Sequence, residues 1–451
     1  MAEPTGRFRR ESSRRFVGLV HSVRSPNVRW AVVVAVFCMG PGWCLGSGVE
    51  VVGGARHALW EALAVGDAHS VIVDAPRVNN RGDVAFREID PSTQSERLWF
   101  QSDDMRLLVA ASDHVAEGTA GSFDAFSDIV LADDGTMTFA ASLRGPRVES
   151  TTDKGWWAWR DGESTLIAQR GGVAPSRGAP QRFSDFETPL ALSGWNAIAL
   201  YGRTLPKEGQ AAQSSGLWTV TSQETSTSSS ASRELALVAE AGMEGVQGDA
   251  SVWFSPQGFE APFAEDPVIN GNGTTVFRGF ASQSPNELVA SALWIKRVDA
   301  PLESLFYAGG DPPEVGGVYV SFPSVPTIND QGQVAFLAFY RSRSSAIQES
   351  SDVVSEVTGE LPATDGPALG LWTVESGRPA AHLLSIGDPV PGGRAEERFV
   401  DVFDPLVNAR GDVFVTAAVK NAGEFGGRDR VGIWLAASGA GELGLVAASE
   451  E

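Results

Sequence analysis

Short apolar runs follow one another along most of the chain, and in many of them apolar and polar side chains alternate. Segments rich in Gly, Pro and Asp separate these runs, and no stretch keeps a period of 3.6 residues. Alternation with period two is the pattern of a half-buried strand, whereas Gly, Pro and Asp favour turns. With 50 Gly and 25 Pro, the chain has turn residues for many short strands. The pattern predicts an all-β fold.

A polar turn followed by an apolar strand recurs six times. In most copies an Asn is followed three positions later by a Gly and then by a run that ends in Phe. The copies are PRVNNRGDVAF (76–86), IVLADDGTMTF (129–139), LALSGWNAIAL (190–200), PVINGNGTTVF (267–277), PTINDQGQVAF (326–336) and PLVNARGDVFV (405–415). A tryptophan run and a further apolar run follow each copy, as in GLWTV (370–374) and LLSI (383–386). Each unit therefore offers four strands.

Six units of four strands predict a six-bladed β-propeller, in which radial repetition protects the sheet edges. We assign one propeller domain to residues 49–451. Its blades would cover residues 68–112, 113–170, 171–240, 241–309, 310–388 and 389–451. A β-solenoid is the alternative, although its repeats are usually shorter and more uniform. Two runs could supply an outer strand that latches the last blade, HALWEALAVGD (57–67) and LGLVAA (443–448).

The first 48 residues differ from the rest of the chain. Seven Arg and two Glu precede the apolar run Trp30–Met39, and small residues follow it up to Gly48. A basic stretch, a short apolar run and a small-residue end predict a secretory signal, with an uncleaved N-terminal anchor as the alternative. We therefore expect an exported protein that is secreted, periplasmic or on the cell surface. Both cysteines, Cys38 and Cys44, lie in this segment, so the mature chain would have no disulfide.

The rest of the chain is strongly acidic. Without residues 1–48 it has 28 Lys and Arg against 54 Asp and Glu, a net charge of −26. Such a charge repels nucleic acid and anionic lipid. We expect a monomer that binds an unknown protein or glycan, does not bind nucleic acid, and has no membrane insertion beyond a possible N-terminal anchor.

The tandem turns and the Gly-Leu-Trp runs after them resemble the NxxGxxxAF tandem-repeat proteins of bacteria, a choice-of-anchor group, over about residues 57–451. The layout is also similar to TolB-type propellers. Ala132 and Ser193 replace Asn in the second and third units, and Asn196 replaces Gly in the third. The resemblance implies export and a repeat scaffold, and it implies no activity.

The recurring turn has a mechanical explanation. Asn can bond its own main chain two residues later, and Gly adopts positive φ at no steric cost. Asn196 would be the next most tolerant residue at the glycine position. Arg81-Gly82-Asp83 and Arg410-Gly411-Asp412 spell the adhesion tripeptide, but the turn already explains their glycines. The six recurring tryptophans are expected in the core between blades, and Trp195 and Trp253, which fall outside that series, are the first aromatic residues at which a ligand contact is expected.

Acidic residues recur just before the turns, where the innermost strands are expected to start. We predict that Asp74, Asp128, Glu187, Asp266 and Asp404 ring a central channel, with Glu265 beside Asp266 and Ser324 in the fifth unit. Like charges crowded together favour a bound cation. The rim is therefore a hypothetical site for calcium, or for a basic or sugar ligand. Alternatively, so acidic a chain simply places acids in most loops.

No catalytic residue and no cofactor are predicted, apart from possible calcium at the rim. The chain has no HExxH, CxxC or Gly-x-Ser-x-Gly motif, and its few histidines have no ligand spacing. The main hypothesis is an exported binding or structural surface module that is not an enzyme. The alternative is a carbohydrate-active hydrolase or lyase that uses two channel carboxylates as acid and base.

Overall fold

The computed structural model describes residues 71–102, 105–206, 214–223, 232–240, 243–247, 250–255, 267–282, 290–342, 367–421, 430–438 and 443–448. These ranges contain strands and turns and no helix, so the all-β prediction is confirmed. No helix among them is long and apolar enough to span a membrane. The predicted signal segment and the run HALWEALAVGD lie outside the described residues.

The described strands form six sheets. The first contains β1 (Val71–Val78), β2 (Val84–Ile89), β3 (Glu96–Ser102) and β4 (Met105–Ala111). The second contains β5 (Ser122–Leu131), β6 (Met137–Arg144), β7 (Lys154–Arg160) and β8 (Glu163–Gln169). The third contains β9 (Val173–Ala174), β10 (Gln181–Gly194), β11 (Ala197–Thr204), β12 (Ser214–Gln223) and β13 (Ser232–Glu240).

The other three sheets have two short strands in place of one long first strand. The fourth contains β14 (Glu244–Gln247), β15 (Ala250–Ser255), β16 (Val268–Ile269), β17 (Thr275–Ser282), β18 (Ala290–Lys296) and β19 (Leu302–Tyr307). The fifth contains β20 (Gly317–Ser321), β21 (Thr327–Ile328), β22 (Val334–Ser342), β23 (Ala368–Val374) and β24 (Ala381–Ser385). The sixth contains β25 (Glu397–Val402), β26 (Leu406–Val407), β27 (Val413–Asn421), β28 (Arg430–Ala436) and β29 (Leu443–Ala448).

Within each sheet the four predicted runs lie side by side in chain order. The approach strand pairs antiparallel with the strand after the turn, which pairs with the tryptophan strand, which pairs with the last strand, as in β1, β2, β3 and β4. The LGLVAA run is β29, and it pairs with β28 of its own sheet. It is therefore the outer strand of the sixth sheet. The fourth sheet departs from the pattern, because β14 pairs parallel with β19.

The apolar core lies between successive sheets. Trp157 of the second sheet packs in one cluster with Leu98 and Phe100 of the first, and Trp372 of the fifth packs with Leu293 of the fourth. The recurring tryptophans of sheets two to six are at most 1% exposed: Trp157, Trp218, Trp294, Trp372 and Trp434. Their predicted place in the core is confirmed. Aromatic side chains bury much apolar area each, so these contacts hold neighbouring sheets together.

Candidate binding sites

The recurring turns have the geometry that the sequence predicts. Asn329 Oδ1 accepts hydrogen bonds from the main-chain N–H groups of Gln331 at 3.1 Å and Gln333 at 2.9 Å. Asn79, Asn270 and Asn408 accept equivalent pairs of bonds. The glycines have positive φ in the five units that carry them: Gly82, Gly135, Gly273, Gly332 and Gly411. The recurring motif is therefore a turn-forming element.

The third unit corrects one detail of this interpretation. Asn196 replaces the glycine there, but it is not among the residues with positive φ. The reason is a shorter turn, because Gly194 already pairs with Ala197 and leaves only Trp195 and Asn196 between the two strands. The main-chain N–H of Trp195 donates to Asp134 Oδ2 of the second unit at 3.0 Å. The Trp195 side chain packs against a buried cluster. The side chain of Trp253 lies outside the described residues.

The same Asn side chains also join one turn to the next. The side-chain amide of Asn79 donates to the carbonyl of Ala132 at 2.9 Å. Asn270 donates to the carbonyl of Asn329 at 2.8 Å, and Asn329 donates to that of Asn408 at 2.9 Å. The side-chain oxygen and the side-chain nitrogen of each of these Asn residues are thus bonded to main-chain groups. This structural role explains the recurrence of Asn in the repeat and requires no ligand.

The two adhesion-like tripeptides are built into these turns. Asp83 is buried, and it accepts hydrogen bonds from Ser102, Asn79 and Arg81. Burial acts to raise the pKa of this carboxyl, but those hydrogen bonds and the charge of Arg81 outweigh it, so the pKa is lowered. The pKa of Asp412 is also lowered, chiefly by a hydrogen bond from the main chain of Ser438. The two aspartates are turn components rather than displayed side chains.

The predicted rim acids lie at breaks in the first strand of each sheet. The pairing of β1 with β2 shifts between Val73 and Arg77, the interval that contains Asp74. Equivalent shifts or gaps contain Asp128, Ser324 and Asp404, and another begins at Glu187. Pro76, Pro189, Pro326 and Pro405 occupy the same intervals, and proline has no N–H for a strand ladder. Four of the breaks therefore coincide with a proline in the sequence.

The structure places these acids farther along the strand than the sequence suggested. The acids were expected where the innermost strand starts, but β5 begins at Ser122, and its aromatic residues Phe123 and Phe126 already pair with β6. Asp128 has a φ of 52°, which is consistent with a local irregularity, and both Asp128 and Asp404 are exposed.

The side chains of Asp74 and Glu187 and the whole of Asp266 lie outside the described residues. Among the residues that are described, no three His, Cys, Asp or Glu side chains are grouped as a metal site. Calcium binding at the rim stays a prediction.

Two arginines bind carbonyl groups exposed by the breaks. Arg278 of the fourth sheet donates to the carbonyl of Pro323 in the fifth at 2.8 Å. Arg87 occupies the equivalent position in the first sheet, directly after the Phe of the repeat, and donates to the carbonyl of Phe126 in the second. Hydrogen bonds from a charged donor are stronger than neutral ones. These contacts tie a break to the preceding sheet.

A cavity of about 290 Å³ opens between the fourth and fifth sheets. Its lining is partly apolar, with Leu305, Phe306 and Val374 partly exposed and Ile295 and Val334 buried behind them. Two ion pairs stand among the other lining residues. Arg297 Nη1 lies 2.5 Å from Glu303 Oε2, and Arg378 Nη1 lies 2.7 Å from Glu375 Oε2. We call this feature the 4/5 cleft. The sequence does not predict it, because the cleft combines strands of two sheets whose apolar residues have the pattern of ordinary core positions.

A partly buried polar cluster lies in the fifth sheet. Ser385 Oγ is 2.8 Å from both Tyr340 OH and His382 Nε2, and the Ser385 N–H donates to Asp388 Oδ2 at 2.6 Å. Burial lowers the pKa of His382, against the opposing charges of Asp388 and Glu314. Tyr340 belongs to β22 and Ser385 to β24, so the contact between their hydroxyl groups connects the two strands. No motif marked this cluster in the sequence, since Tyr340 lies far from the other residues.

The family relationship agrees with a tandem architecture. A model of a family of unknown function, DUF7453, matches residues 61–224, 219–361 and 353–450. The chain belongs to this DUF7453 family. The three successive matches support repetition along the chain, while the more specific resemblance to the NxxGxxxAF group is not shown by them. No curated protein matches the chain.

Several solved structures align with this DUF7453 chain at low identity. A Penicillium chrysogenum α-L-arabinanase complexed with arabinobiose is 11% identical, with a TM-score of 0.27, over 68% of this chain and 87% of its own. The β-propeller domain of the trilobed protease from Pyrococcus furiosus is 9% identical, with a TM-score of 0.26, over 84% and 98%. A polysaccharide lyase, an ulvan lyase, is 7% identical, with a TM-score of 0.33, over 85% and 81%.

Proposed function

We propose that the chain is an exported, acidic six-bladed propeller that serves as a binding module for a glycan or a protein. The observation that carries this proposal is the way the repeat uses its own polar groups. In Asn79, Asn270 and Asn329 the side-chain oxygen accepts hydrogen bonds within its own turn, and the side-chain nitrogen donates to the next turn. The repeated motif therefore builds a scaffold, and ligand recognition is left to features that differ between units.

Closure of the six sheets into a ring is part of this proposal. The residue directly before each recurring tryptophan faces the following sheet. In the first five sheets this residue is at most 2% exposed: Leu98, Trp156, Leu217, Leu293 and Leu371. The equivalent Ile433 of the sixth sheet is 39% exposed. At the other end, Trp99 is the one recurring tryptophan that is not fully buried. Packing of the sixth sheet against the first would cover both residues, and such burial is favourable.

Export is proposed from the N-terminal segment, with its basic stretch, apolar run and small-residue end. The test is to express the full chain in a bacterial host, collect the exported fraction and determine its N-terminal sequence. Cleavage near Gly48 is expected. A full-length chain retained in the cytoplasm contradicts export.

Binding is tested with the exported protein on an array of glycans and peptides, followed by an assay for new reducing ends or unsaturated products. The module proposal expects retention of a glycan or peptide without its breakdown. Breakdown of a retained glycan would instead support the carbohydrate-active enzyme. If every array position stays empty while the protein is folded, the proposed function is wrong.

A further inference from the structure

We propose that the 4/5 cleft binds a neutral saccharide of one or two rings. This inference rests on the proposed function, since it names the ligand class and the place of binding. The cavity of about 290 Å³ is near the lower bound of roughly 300 Å³ for small-molecule sites. A ligand of one or two rings suits that size.

The side chain two residues after the recurring tryptophan differs between the units, and it is small in the fifth sheet. Val374 lies two residues after Trp372 and faces the fourth sheet. Trp159 has the same place after Trp157 in the second sheet, and its ring packs 4.9 Å from that of Phe100 in the first. Trp159 therefore fills in the 1/2 interface the space that Val374 leaves empty in the 4/5 interface. Trp159 is the exception in the repeat and shows that a tryptophan fits at this position, which in the other sheets holds Gln101, Val220, Lys296 and Ala436.

The glycines at the mouth of the cleft add to the opening. A Cβ atom on Gly332 or on Gly377 would meet no atom within 4 Å, and both glycines have positive φ. Both belong to the lining of the cavity. The mouth is thus bordered by main chain without side-chain cover, which gives a ligand access to the apolar walls.

The charges at the cleft favour a neutral ligand with several hydroxyl groups. Arg297 and Arg378 are each paired with a glutamate, so the four groups have no net charge. Neither an anion nor a cation meets an excess of opposite charge. A hydroxyl group can accept a hydrogen bond from a guanidinium and donate one to a carboxylate. The apolar walls, with the ring of Phe306 among them, suit the C–H face of a sugar ring.

The test measures binding of free D-glucose, D-galactose, D-mannose, L-fucose and disaccharides of these sugars, with a zwitterionic amino acid as comparison, by saturation-transfer NMR and calorimetry. Val374→Trp places in the cleft the residue that fills the 1/2 interface. Arg378→Gln removes one charged donor at the mouth. The control is Arg398→Gln, which makes the same change at an arginine that donates to Ala395 and Glu397 in the sixth unit.

We expect at least one saccharide to bind the wild type. Folded Val374→Trp should lose detectable binding, Arg378→Gln should bind about tenfold more weakly, and Arg398→Gln should match the wild type. If Val374→Trp does not fold, the binding of Arg378→Gln and Glu375→Gln decides.

Unchanged saccharide binding in the cleft variants overturns this site but leaves the binding module intact. Binding of the amino acid alone overturns the ligand class. A wild type that binds no glycan on the array or in solution, but does bind a peptide, overturns the inference without overturning the module.

Discussion

The side-chain amide of Asn329 donates a hydrogen bond to the main-chain carbonyl of Asn408, 79 residues farther along the chain, at 2.9 Å. Asn270 makes the same contact with the carbonyl of Asn329 itself. Asn329 therefore both stabilises its own turn and connects neighbouring sheets. Because Asn329 is buried, groups that lose these bonds would lack water as a replacement.

Replacement of this connector should destabilise the fold. Asn329→Ala leaves two main-chain N–H groups and the carbonyl of Asn408 without their partner, so we expect the free energy of unfolding to fall by about 2–4 kcal/mol. Asn329→Asp keeps the acceptor and should lose less. The exposed neighbour Gln331→Ala is the control, with a change within about 0.5 kcal/mol. Chemical denaturation measures all three, and equal stability of Asn329→Ala and the control contradicts the connector role.

The glycine of the same turn is a test of backbone conformation alone. Gly332 has a φ of 79°, and a Cβ atom there would meet no neighbour within 4 Å. The cost of a side chain therefore comes from the left-handed conformation and not from a clash. Gly332→Val should lower the free energy of unfolding by more than about 1 kcal/mol, because β-branched residues resist positive φ. Gly332→Asn should lose clearly less in the same denaturation experiment, and similar losses for both would count against this explanation.

The half-buried His382 of the fifth sheet should make stability depend on pH. Burial lowers the pKa of folded His382 below its ordinary value of 6.5. As the pH falls below 6.5, His382 takes up a proton in the unfolded chain but stays neutral in the folded chain until the pH reaches its lower folded-state pKa. The folded state is therefore destabilised between those two pKa values. Melting temperatures from about pH 7 to about pH 5 should fall more steeply for the wild type than for His382→Gln. Parallel curves would show that His382 does not contribute.

The rim acids predict an effect of calcium. Asp128, Glu187 and Asp404 lie at equivalent strand breaks, so a closed ring would bring their carboxylates around one opening. Calcium should then raise the melting temperature of the wild type but not that of the variant with all three changed to Asn. Glu117, Glu163 and Glu396 changed together to Gln are the control, because these exposed acids lie away from the breaks. A calcium shift that survives in the rim variant would refute the prediction.

The sequence carried the repeat and the turns but not the cleft. Alternating apolar positions, the recurring Asn and the positive-φ glycines are local signals, and the structure confirms them at Asn79, Asn270, Asn329 and Asn408. The missed turn at Asn196 depends on how many residues separate Gly194 from Ala197 in the strand pairing. The cleft is lined by residues of two different sheets, and the sequence does not show which of their side chains meet until the packing of those sheets is known.

The most direct test of the account is the distance between the first and sixth sheets. Spin labels at Leu108 in β4 and Leu445 in β29, two exposed equivalent positions, report it by pulsed electron paramagnetic resonance. Labels at Met105 in β4 and Glu163 in β8, which are also exposed and equivalent, give the distance across one pair of successive sheets. Neighbouring sheets pack about 10 Å apart, so an open row would separate the first and sixth by about 50 Å. A closed six-bladed ring predicts that the 108–445 distance is close to the control distance, and a 108–445 distance several times longer would contradict it.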